Sequence, residues 1–245
     1  MHQRLKKLLG VIALTAAPLL SGCIGLAPTE TPIPSIETTN EGSRARSLVV
    51  MLPGRGDRAD VFMREGFQEA GQHFGFDTVA VDAHLGYYMQ RSLLERLHED
   101  IVIPARATGY EKVWLLGVSM GGLGSLLYAS EHPTQVDGVI LLAPFLGDRS
   151  AIKTIVDSGP LETWDGEGEG LKDYEIAIWK YIRDATRGAD QTPLILAYGL
   201  SDGMADGYKE LLDVIRPSRV YTHEGGHKWT TWKPLWDQIS ADLEL

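Results

Sequence analysis

Short apolar runs recur along the chain from residue 47 onward, and most are bounded by glycine, proline or aspartate. Most are continuously apolar rather than alternating, which is typical of strands buried on both faces of a sheet. Amphipathic stretches with helical spacing separate them. The predicted strands are 47–52, 77–82, 112–118, 136–143, 194–199 and 219–223, and the predicted helices are 59–74, 90–107, 122–132, 171–187, 204–215 and 231–243. This alternation predicts an α/β fold with a doubly wound, mostly parallel sheet.

The interval between Pro144 and Pro193 breaks this rhythm, because its roughly fifty residues exceed what a single crossover needs. We interpret 146–190 as a small helical cap inserted over the carboxyl edge of the sheet, with Trp164 and Trp179 as candidates to face the site. The alternative is a surface excursion remote from any site.

Residues 1–22 have the organisation of a secretory signal peptide. Basic residues without any acid precede the apolar stretch 8–20, which is shorter than the ~20 residues of a membrane-spanning helix. The run Leu20-Ser21-Gly22-Cys23 resembles the bacterial lipobox, in which the cysteine receives a lipid and becomes the new N-terminus. The resemblance implies an anchor through Cys23 in the cell envelope, on the periplasmic or extracellular side of a membrane. The alternative is an ordinary signal peptide with an incidental cysteine.

Residues 23–46 are rich in proline, threonine, serine and glutamate and contain few large apolar side chains. Such a composition buries too little surface to offset the entropy lost on ordering. We therefore expect an extended, disordered tether. It would hold the domain at 47–245 tens of ångströms from the membrane.

The overall composition narrows the class of protein. The chain is 44% hydrophobic and 23% charged, which is typical of a globular protein. The net charge is −10, and loss of the basic residues Arg4, Lys6 and Lys7 would make it −13. This charge argues against nucleic acid or anionic lipid as the main partner. The single cysteine excludes an intrachain disulfide and a cysteine-based zinc site. Because we see no phosphate loop, metal-ligand cluster or dinucleotide fingerprint, we expect no cofactor and no metal. We also expect a monomer.

The run Gly117-Val118-Ser119-Met120-Gly121 is a G-x-S-x-G sequence between a predicted strand and a predicted helix. A serine in so sharp a turn needs neighbours without bulk on both sides. The helix that follows points its free N–H groups at the oxygen that becomes charged. The pattern predicts Ser119 as a nucleophile, and the structural alternative is an ordinary strand-to-helix turn.

A serine nucleophile needs a base, and three histidines follow Ser119 in the chain. His132 falls at the end of the predicted helix, where we expect it to be exposed, and His223 closes the last strand. His227 follows two glycines just beyond that strand, and their backbone freedom can bring its imidazole over the strand edge. We therefore predict His227 as the general base.

The base needs an acid to orient it, and Asp202 stands just past the strand 194–199. A carboxylate there can hold the second nitrogen of the imidazole and fix its tautomer. Asp206 and Asp148 remain alternatives. A helix N-cap is the usual role of an aspartate in such a place, and Asp202 could serve both purposes.

The oxyanion of an acyl-transfer reaction needs two N–H donors. We predict the backbone amides of Met120 and Arg55, the latter in a loop where Gly54 lets the backbone approach a substrate closely. Other side chains at strand ends are candidates to line the substrate pocket. They are His84, Tyr87, Tyr88, Phe145 and Leu146.

With these motifs in order, the chain from about 47 to 245 resembles the α/β-hydrolase superfamily. The resemblance implies an eight-strand-type sheet, here reduced because no extra hairpin is visible before Ser47. It departs from the common pattern at Pro53, where many members have histidine.

The resemblance also implies a serine hydrolase that cleaves a carboxylic ester of a small-molecule or lipid-like substrate. An acyltransferase, thioesterase or peptidase would use the same residues. A catalytically inactive binding lipoprotein on the same scaffold is a further alternative.

Overall fold

The computed structural model describes residues 27–39, 46–185, 192–205, 207–208, 212 and 219–243. Its centre is a seven-stranded sheet with the strand order β1-β3-β2-β4-β5-β6-β7. The strands are β1 (Ser35–Thr38), β2 (Ser47–Leu52), β3 (Asp77–Val81), β4 (Lys112–Val118), β5 (Gly138–Leu142), β6 (Leu194–Gly199) and β7 (Val220–His223). β2 to β7 are parallel and β1 is antiparallel. The predicted doubly wound, mostly parallel sheet is confirmed.

The six predicted strands are all present, with ends that differ by at most two or three residues. Every residue of β2, β3, β5 and β6 is buried, which explains why their sequences are continuously apolar. β3 lies on one side of β2, and β4 lies on the other side. The direction in which successive strands are added to the sheet therefore reverses between β2 and β4. In open α/β sheets the crevice at such a reversal, beyond the carboxyl ends of the strands, is where ligands bind.

Helices cover both faces of the sheet. They are α1 (Asp60–Arg64), α2 (Phe67–Phe74), α3 (Leu85–Met89), α4 (Leu93–Arg96), α5 (Ile103–Ala107), α6 (Met120–Glu131), α7 (Arg149–Asp157), α8 (Asp173–Ala185) and α9 (Trp229–Asp242), with a π-helical segment at Leu97–Val102. α2 packs against α9 through the stacked rings of Phe67 and Trp236, whose centroids are 5.7 Å apart. Most of the helix predicted at 204–215 lies outside the described residues. No helix in the described ranges has both the length and the apolarity to cross a bilayer.

Residues 27–39 form part of the folded domain. β1 adds an antiparallel strand to the free edge of β3, with Ser35 opposite Val81 and Thr38 opposite Thr78. The prediction of a disordered tether is therefore wrong for these residues. Backbone hydrogen bonds to β3 hold this strand, with Ile36 as its one side chain packed on the core, so its mostly polar composition gave no sign of it.

The segment that leads into β1 is also fixed by side-chain contacts. Ile33 is buried, and its N–H donates to Asp100 Oδ2 at 2.8 Å. The Tyr87 hydroxyl accepts from the N–H of Glu30 and donates to its carbonyl. The other residues of the predicted tether, 23–26 and 40–45, lie outside the described ranges.

The long interval after β5 divides into two parts. α8 packs against α6 on the face of the sheet, as an ordinary crossover helix does. Trp179 on α8 is fully buried, and its Nε1 donates to the Leu146 carbonyl at 3.0 Å. Trp164 is also buried, with Nε1 bonded to the Glu167 carbonyl. Neither tryptophan faces the site as predicted. The inserted region at the carboxyl edge is smaller than the predicted 146–190 and centres on α7.

Candidate active site

Ser119 occupies a strained turn between β4 and α6. Its backbone has φ 52° and ψ −112°, and such a conformation costs a non-glycine residue of the order of 1–3 kcal/mol. A Cβ on Gly121 would lie 2.1 Å from the Leu52 carbonyl oxygen, and a Cβ on Gly117 would lie 2.3 Å from the Gly121 oxygen. The two glycines are therefore required because backbone packs directly on backbone. The strain and the crowding are those of a nucleophile elbow.

Three of the predicted residues meet at the carboxyl edge of the sheet. His227 Nε2 lies 2.9 Å from Ser119 Oγ, and His227 Nδ1 lies 2.8 Å from Asp202 Oδ2. The side chain of Asp202 is almost completely buried, and its other oxygen accepts from the Met204 N–H at 2.9 Å. A carboxylate facing Nδ1 keeps the proton there, which leaves Nε2 free to accept from the serine hydroxyl.

A backbone hydrogen bond connects the loops after β6 and β7, and this bond positions His227. Gly225 has φ 121° and its carbonyl accepts from the Ser201 N–H at 2.8 Å. A Cβ on Gly199 would lie 2.3 Å from that same carbonyl. The Trp232 ring meets the imidazole edge to face, with the centroids 4.8 Å apart. The glycines thus allow an approach that larger residues would block.

Asp148, the first alternative acid, has another role. One of its oxygens accepts from the N–H groups of Ser150 and Ala151 and so caps α7. The other pairs with Lys172 Nζ at 2.8 Å. The hydrogen bonds from Lys172 and then Ser150 hold the pKa of Asp148 well below its usual range. Asp206, the second alternative, lies outside the described residues.

The two other downstream histidines lie away from Ser119. His223 is exposed, and its Nδ1 contacts the Glu224 carbonyl at 2.7 Å. His132 follows the end of α6 and stacks on His98, with the centroids 4.1 Å apart. Burial, and then the charge of His98, lower the pKa of His132. His132 is half-buried, whereas we expected it to be exposed.

The loop after β2 lies against the elbow. A Cβ on Gly54 would come within 3.6 Å of the Ser119 Cβ, so only a small residue leaves room for a substrate there. The amides of Arg55 and Met120 have no backbone acceptor among the described residues, and the Arg55 side chain is exposed. Asp57 in the same loop accepts a hydrogen bond from an indole of α9 at 3.2 Å. Met120 follows Ser119 in the chain and Arg55 follows Gly54, so the assignment of these two amides as oxyanion donors stays a prediction.

A cavity of about 630 Å³ lies beside the triad. Phe145 connects the two, because it lines the cavity and its N–H donates to the Ser119 carbonyl at 2.9 Å. On the other side Met204, which binds Asp202, also lines it. The lining residues are Pro144, Phe145, Leu146, Gly147, Asp148, Arg149, Ile152, Lys153, Val156, Asp157, Gly203, Met204, Gly207 and Tyr208. Ser119 and His227 are at its border rather than inside it.

Tyr208 is the buried polar group of this cavity. It is 1% exposed, and its hydroxyl has no hydrogen-bond partner among the described residues. Burial, and then the charge of Asp202, raise the pKa of this hydroxyl. The cavity wall thus combines apolar residues with the charged residues Asp148, Arg149, Lys153 and Asp157, and it has a buried neutral hydroxyl behind it.

His84, predicted as a pocket residue, has a structural role instead. It is buried, and its Nδ1 accepts from the Gly86 N–H at 3.1 Å, which caps α3. Its ring packs on Tyr87 and also hydrogen-bonds the Pro28 backbone. His84 does not line the cavity, and its partners belong to α3 and the N-terminal segment. Tyr88 likewise binds the Met120 carbonyl through its hydroxyl rather than lining the cavity.

Comparison with known proteins identifies the fold. A family model described as the alpha/beta hydrolase fold matches residues 47–166, just under half of the chain. The protein has the α/β-hydrolase fold. Comparison with curated proteins gives no match.

Several solved structures share this α/β-hydrolase fold. A predicted CIB-like hydrolase from Thermoplasma acidophilum is 19% identical, with a TM-score of 0.57 over 85% of this chain and 89% of that chain. A monoacylglycerol lipase from Paleococcus ferrophilus is 16% identical, with a TM-score of 0.56 over 86% and 98%. An s-formylglutathione hydrolase from Staphylococcus aureus is 14% identical, with a TM-score of 0.55 over 82% and 83%. Identities this low establish the fold alone.

Of the cavity wall, the sequence predicted Phe145 and Leu146 but missed the residues on α7 and after Asp202. Ile152 lies on α7, and Met204 and Tyr208 come from the segment after Asp202. Met204 and Tyr208 are four residues apart, a spacing that would have placed them on one face of the predicted helix. In the described ranges no group of three or more His, Cys, Asp or Glu side chains is placed to hold a metal ion.

Proposed function

We propose that the protein is a serine hydrolase that cleaves a carboxylic ester or a related acyl bond. The observation that carries this proposal is the continuous hydrogen-bonded series from Asp202 through His227 to Ser119, with distances of 2.8 and 2.9 Å. Those three side chains come from loops after three different strands of an α/β-hydrolase fold, at the edge where such folds place their chemistry.

The proposed reaction has two halves. Ser119 Oγ attacks the acyl carbonyl while His227 Nε2 takes its proton, and the amides of Met120 and Arg55 donate to the resulting oxyanion. His227 then gives the proton to the leaving alcohol, and an acyl-enzyme remains. Water, with its proton taken by His227, then attacks the acyl carbonyl. As the bond to Ser119 Oγ breaks, His227 returns the proton to that oxygen and the acid leaves.

Asp202 acts through His227. Its near-complete burial and its bond from the Met204 amide leave one oxygen directed at Nδ1. A buried carboxylate in that position holds the productive tautomer and stabilises the imidazolium that forms during attack. It is therefore a positioning and electrostatic group, and we assign it no proton transfer.

The cavity beside the triad is the proposed site of the acyl group. Its wall is largely apolar around Phe145, Ile152 and Met204, and its volume of about 630 Å³ lies within the range of small-molecule sites. One similar structure is described as a monoacylglycerol lipase, which makes lipid-like esters the first substrates to try.

We propose hydrolysis rather than transfer as the default reaction. The His227 side chain is 33% exposed, so water can reach the acyl-enzyme.

We further propose that the chain is lipidated on Cys23 and held at the cell envelope, with the membrane as its partner. The basic start, the apolar stretch and the lipobox-like run before Cys23 support this. A monomer stays a prediction.

Covalent labelling tests the proposed nucleophile. A fluorophosphonate should form one adduct on the folded protein, at Ser119, and Ser119→Ala should abolish it. Ser158→Ala, at an exposed serine that ends α7, is the matched control and should label normally. The proposal fails if folded protein gives no adduct, or if the adduct survives Ser119→Ala.

A substrate series then defines the acyl group. Initial rates on p-nitrophenyl esters of increasing chain length, with matched amides and thioesters, should show a preference for esters. Product analysis with competing alcohols separates hydrolysis from transfer. A clear preference for the amide or the thioester would replace the ester assignment.

A further inference from the structure

The chain enters the domain at the same edge as the triad. β1 runs antiparallel to β3, and its first residue, Ser35, pairs with Val81 at the carboxyl end of β3. Residues 27–34 therefore lie at the carboxyl edge of the sheet. Ser119, Asp202 and His227 follow β4, β6 and β7 at that edge.

Contacts link the start of the described chain to the elbow. The Ala27 carbonyl lies so close to Gly86 on α3 that a Cβ there would be 2.6 Å away. Two residues on, the Tyr88 hydroxyl donates to the Met120 carbonyl at 3.0 Å. Only α3 therefore separates Ala27 from the residue next to Ser119.

The anchor has little reach beyond this point. Cys23 precedes Ala27 by four residues, and four extended residues span at most roughly 14 Å. A free tether from Cys23 to Ser47 would span roughly 80 Å when extended. Docking of 27–39 thus holds Ala27, and with it the end of the carboxyl edge at β3, within roughly 14 Å of a lipid on Cys23.

Exposed apolar side chains lie along the same edge. Met63 follows β2, Met89 ends α3 after β3, and Leu200 follows β6, with exposures of 59%, 65% and 53%. Single exposed apolar residues are ordinary, so their shared edge is the informative feature. Phe74 is also exposed, but it ends α2 next to the start of β3, at the opposite edge.

We propose that the carboxyl edge faces the bilayer that holds the anchor, so that Ser119 acts on ester lipids of that membrane. The proposal rests on the lipidation and hydrolase activity proposed above. The lipid anchor, rather than charge, supplies the attraction, because the chain is acidic overall. Met63, Met89 and Leu200 contact the interface, and the solvent-open triad lies above the ester groups of the lipids.

Depth-dependent quenching tests this orientation. Cys23 is the only cysteine and its thiol is consumed by lipidation, so Met89→Cys, Leu200→Cys and Phe74→Cys each provide one thiol for a fluorophore. The full-length lipidated variants are placed in phosphatidylcholine vesicles with a headgroup-proximal spin-labelled lipid. We expect at least threefold stronger quenching at positions 89 and 200 than at the control position 74.

The outcomes separate the orientation from its premises. Equal quenching at the three positions, or the strongest quenching at 74, overturns the orientation. A mass spectrum of the membrane-purified protein without lipid on Cys23 overturns the anchor and the orientation together. Failure of fluorophosphonate labelling with the quenching pattern intact refutes the hydrolase and leaves the membrane-facing edge standing.

A longer connection tests the consequence for the substrate. Inserting about twenty Gly/Ser residues between Leu26 and Ala27 frees the domain from the surface. Cleavage of an ester lipid in the same vesicles should fall at least fivefold, while cleavage of a soluble short-chain ester stays unchanged. The same residues appended after Leu245 are the matched control and should change neither rate. The claim that Ser119 acts on lipids of the anchoring membrane is refuted if the insertion after Leu26 and the extension after Leu245 cleave the lipid equally, with the soluble activity intact.

Discussion

The elbow around Ser119 and the cavity beside it are built in opposite ways, although they share one edge of the sheet. In the elbow, backbone packs on backbone, so that a Cβ on Gly121 would lie 2.1 Å from the Leu52 oxygen. In the cavity, side chains form the wall, and a Cβ on Gly203 would meet nothing within 4 Å. The reactive atom is therefore fixed, whereas the space for the acyl group can adapt.

This contrast divides the proposed enzyme into a part that sets the reaction and a part that sets the substrate. Ser119 keeps its strained backbone because its N–H donates to the Leu142 carbonyl and its carbonyl accepts from the Phe145 N–H, both at 2.9 Å. Phe145 then turns into the cavity wall. Substitutions in the elbow should abolish function or folding, and those in the cavity should change selectivity.

The largest effect should come from Asp202→Asn. The amide removes the charge facing His227 and favours the wrong tautomer, so kcat/KM should fall roughly 10³–10⁴-fold with the fold intact. Asp148→Asn is the matched control, because that aspartate caps α7 and pairs with Lys172 instead. Because Asp148 also lines the cavity, the kcat/KM of this control variant on a p-nitrophenyl ester should fall by no more than about tenfold. Equal losses in the two variants would contradict our assignment of the acid.

The two regions should also differ in how they tolerate a methyl group. Gly121→Ala forces a Cβ into the Leu52 carbonyl, and the resulting shift of β2 should cost about 3 kcal/mol of unfolding free energy. Gly203→Ala adds the same group to open space and should change that free energy by less than about 0.5 kcal/mol. Urea denaturation measures both. A Gly121→Ala protein as stable as Gly203→Ala would show that the elbow is not rigid.

A smaller effect is expected in selectivity when the cavity is enlarged. Ile152→Ala removes part of the wall and should shift the ratio of kcat/KM for a ten-carbon over a four-carbon ester about tenfold. Ile103→Ala, at an exposed isoleucine of α5 away from the cavity, is the control and should leave the ratio unchanged. An unchanged ratio in Ile152→Ala would place the acyl group elsewhere.

The triad could be predicted because each of its residues depends on local backbone geometry. Ser119 needs glycines two positions before and after it, and His227 needs the two glycines that precede it. The strand that precedes Asp202 is continuously apolar and so could be recognised. These constraints act within a few residues of the chain, where a sequence pattern can express them.

The N-terminal segment and the cavity could not be predicted, because their contacts join distant parts of the chain. β1 is held by backbone hydrogen bonds to β3, which any polar side chains would allow. The cavity exists only where α7 meets the segment after Asp202, with Ile152 against Gly207. His84 looked like a pocket residue because it follows a strand, yet its partners are residues 27–34 and α3.

The smallest expected effect is on the pH dependence of stability and concerns His84. This residue lies under α3, in the part of the molecule that contains the elbow. Burial, and then the charge of Arg58, lower the pKa of His84 below its ordinary value of 6.5, against opposing contributions from Asp82, Pro28 and Glu30. The unfolded chain therefore binds the extra proton first. The stability that neutral His84 contributes is fully present above pH 6.5 and is lost as the pH falls below it.

Protonation also ends the bond that Nδ1 accepts from the Gly86 N–H, so α3 loses its cap. The unfolding midpoint should drop between pH 7 and pH 5, and His84→Asn, which keeps an acceptor but cannot titrate, should reduce this drop by roughly 2–4 °C. His73→Asn, at an exposed position on α2, is the control and should not. Part of the drop should persist in His84→Asn, because the pKa of His132 is lowered as well. A pH dependence identical in wild type and His84→Asn would show that this cap does not couple the N-terminal segment to the elbow.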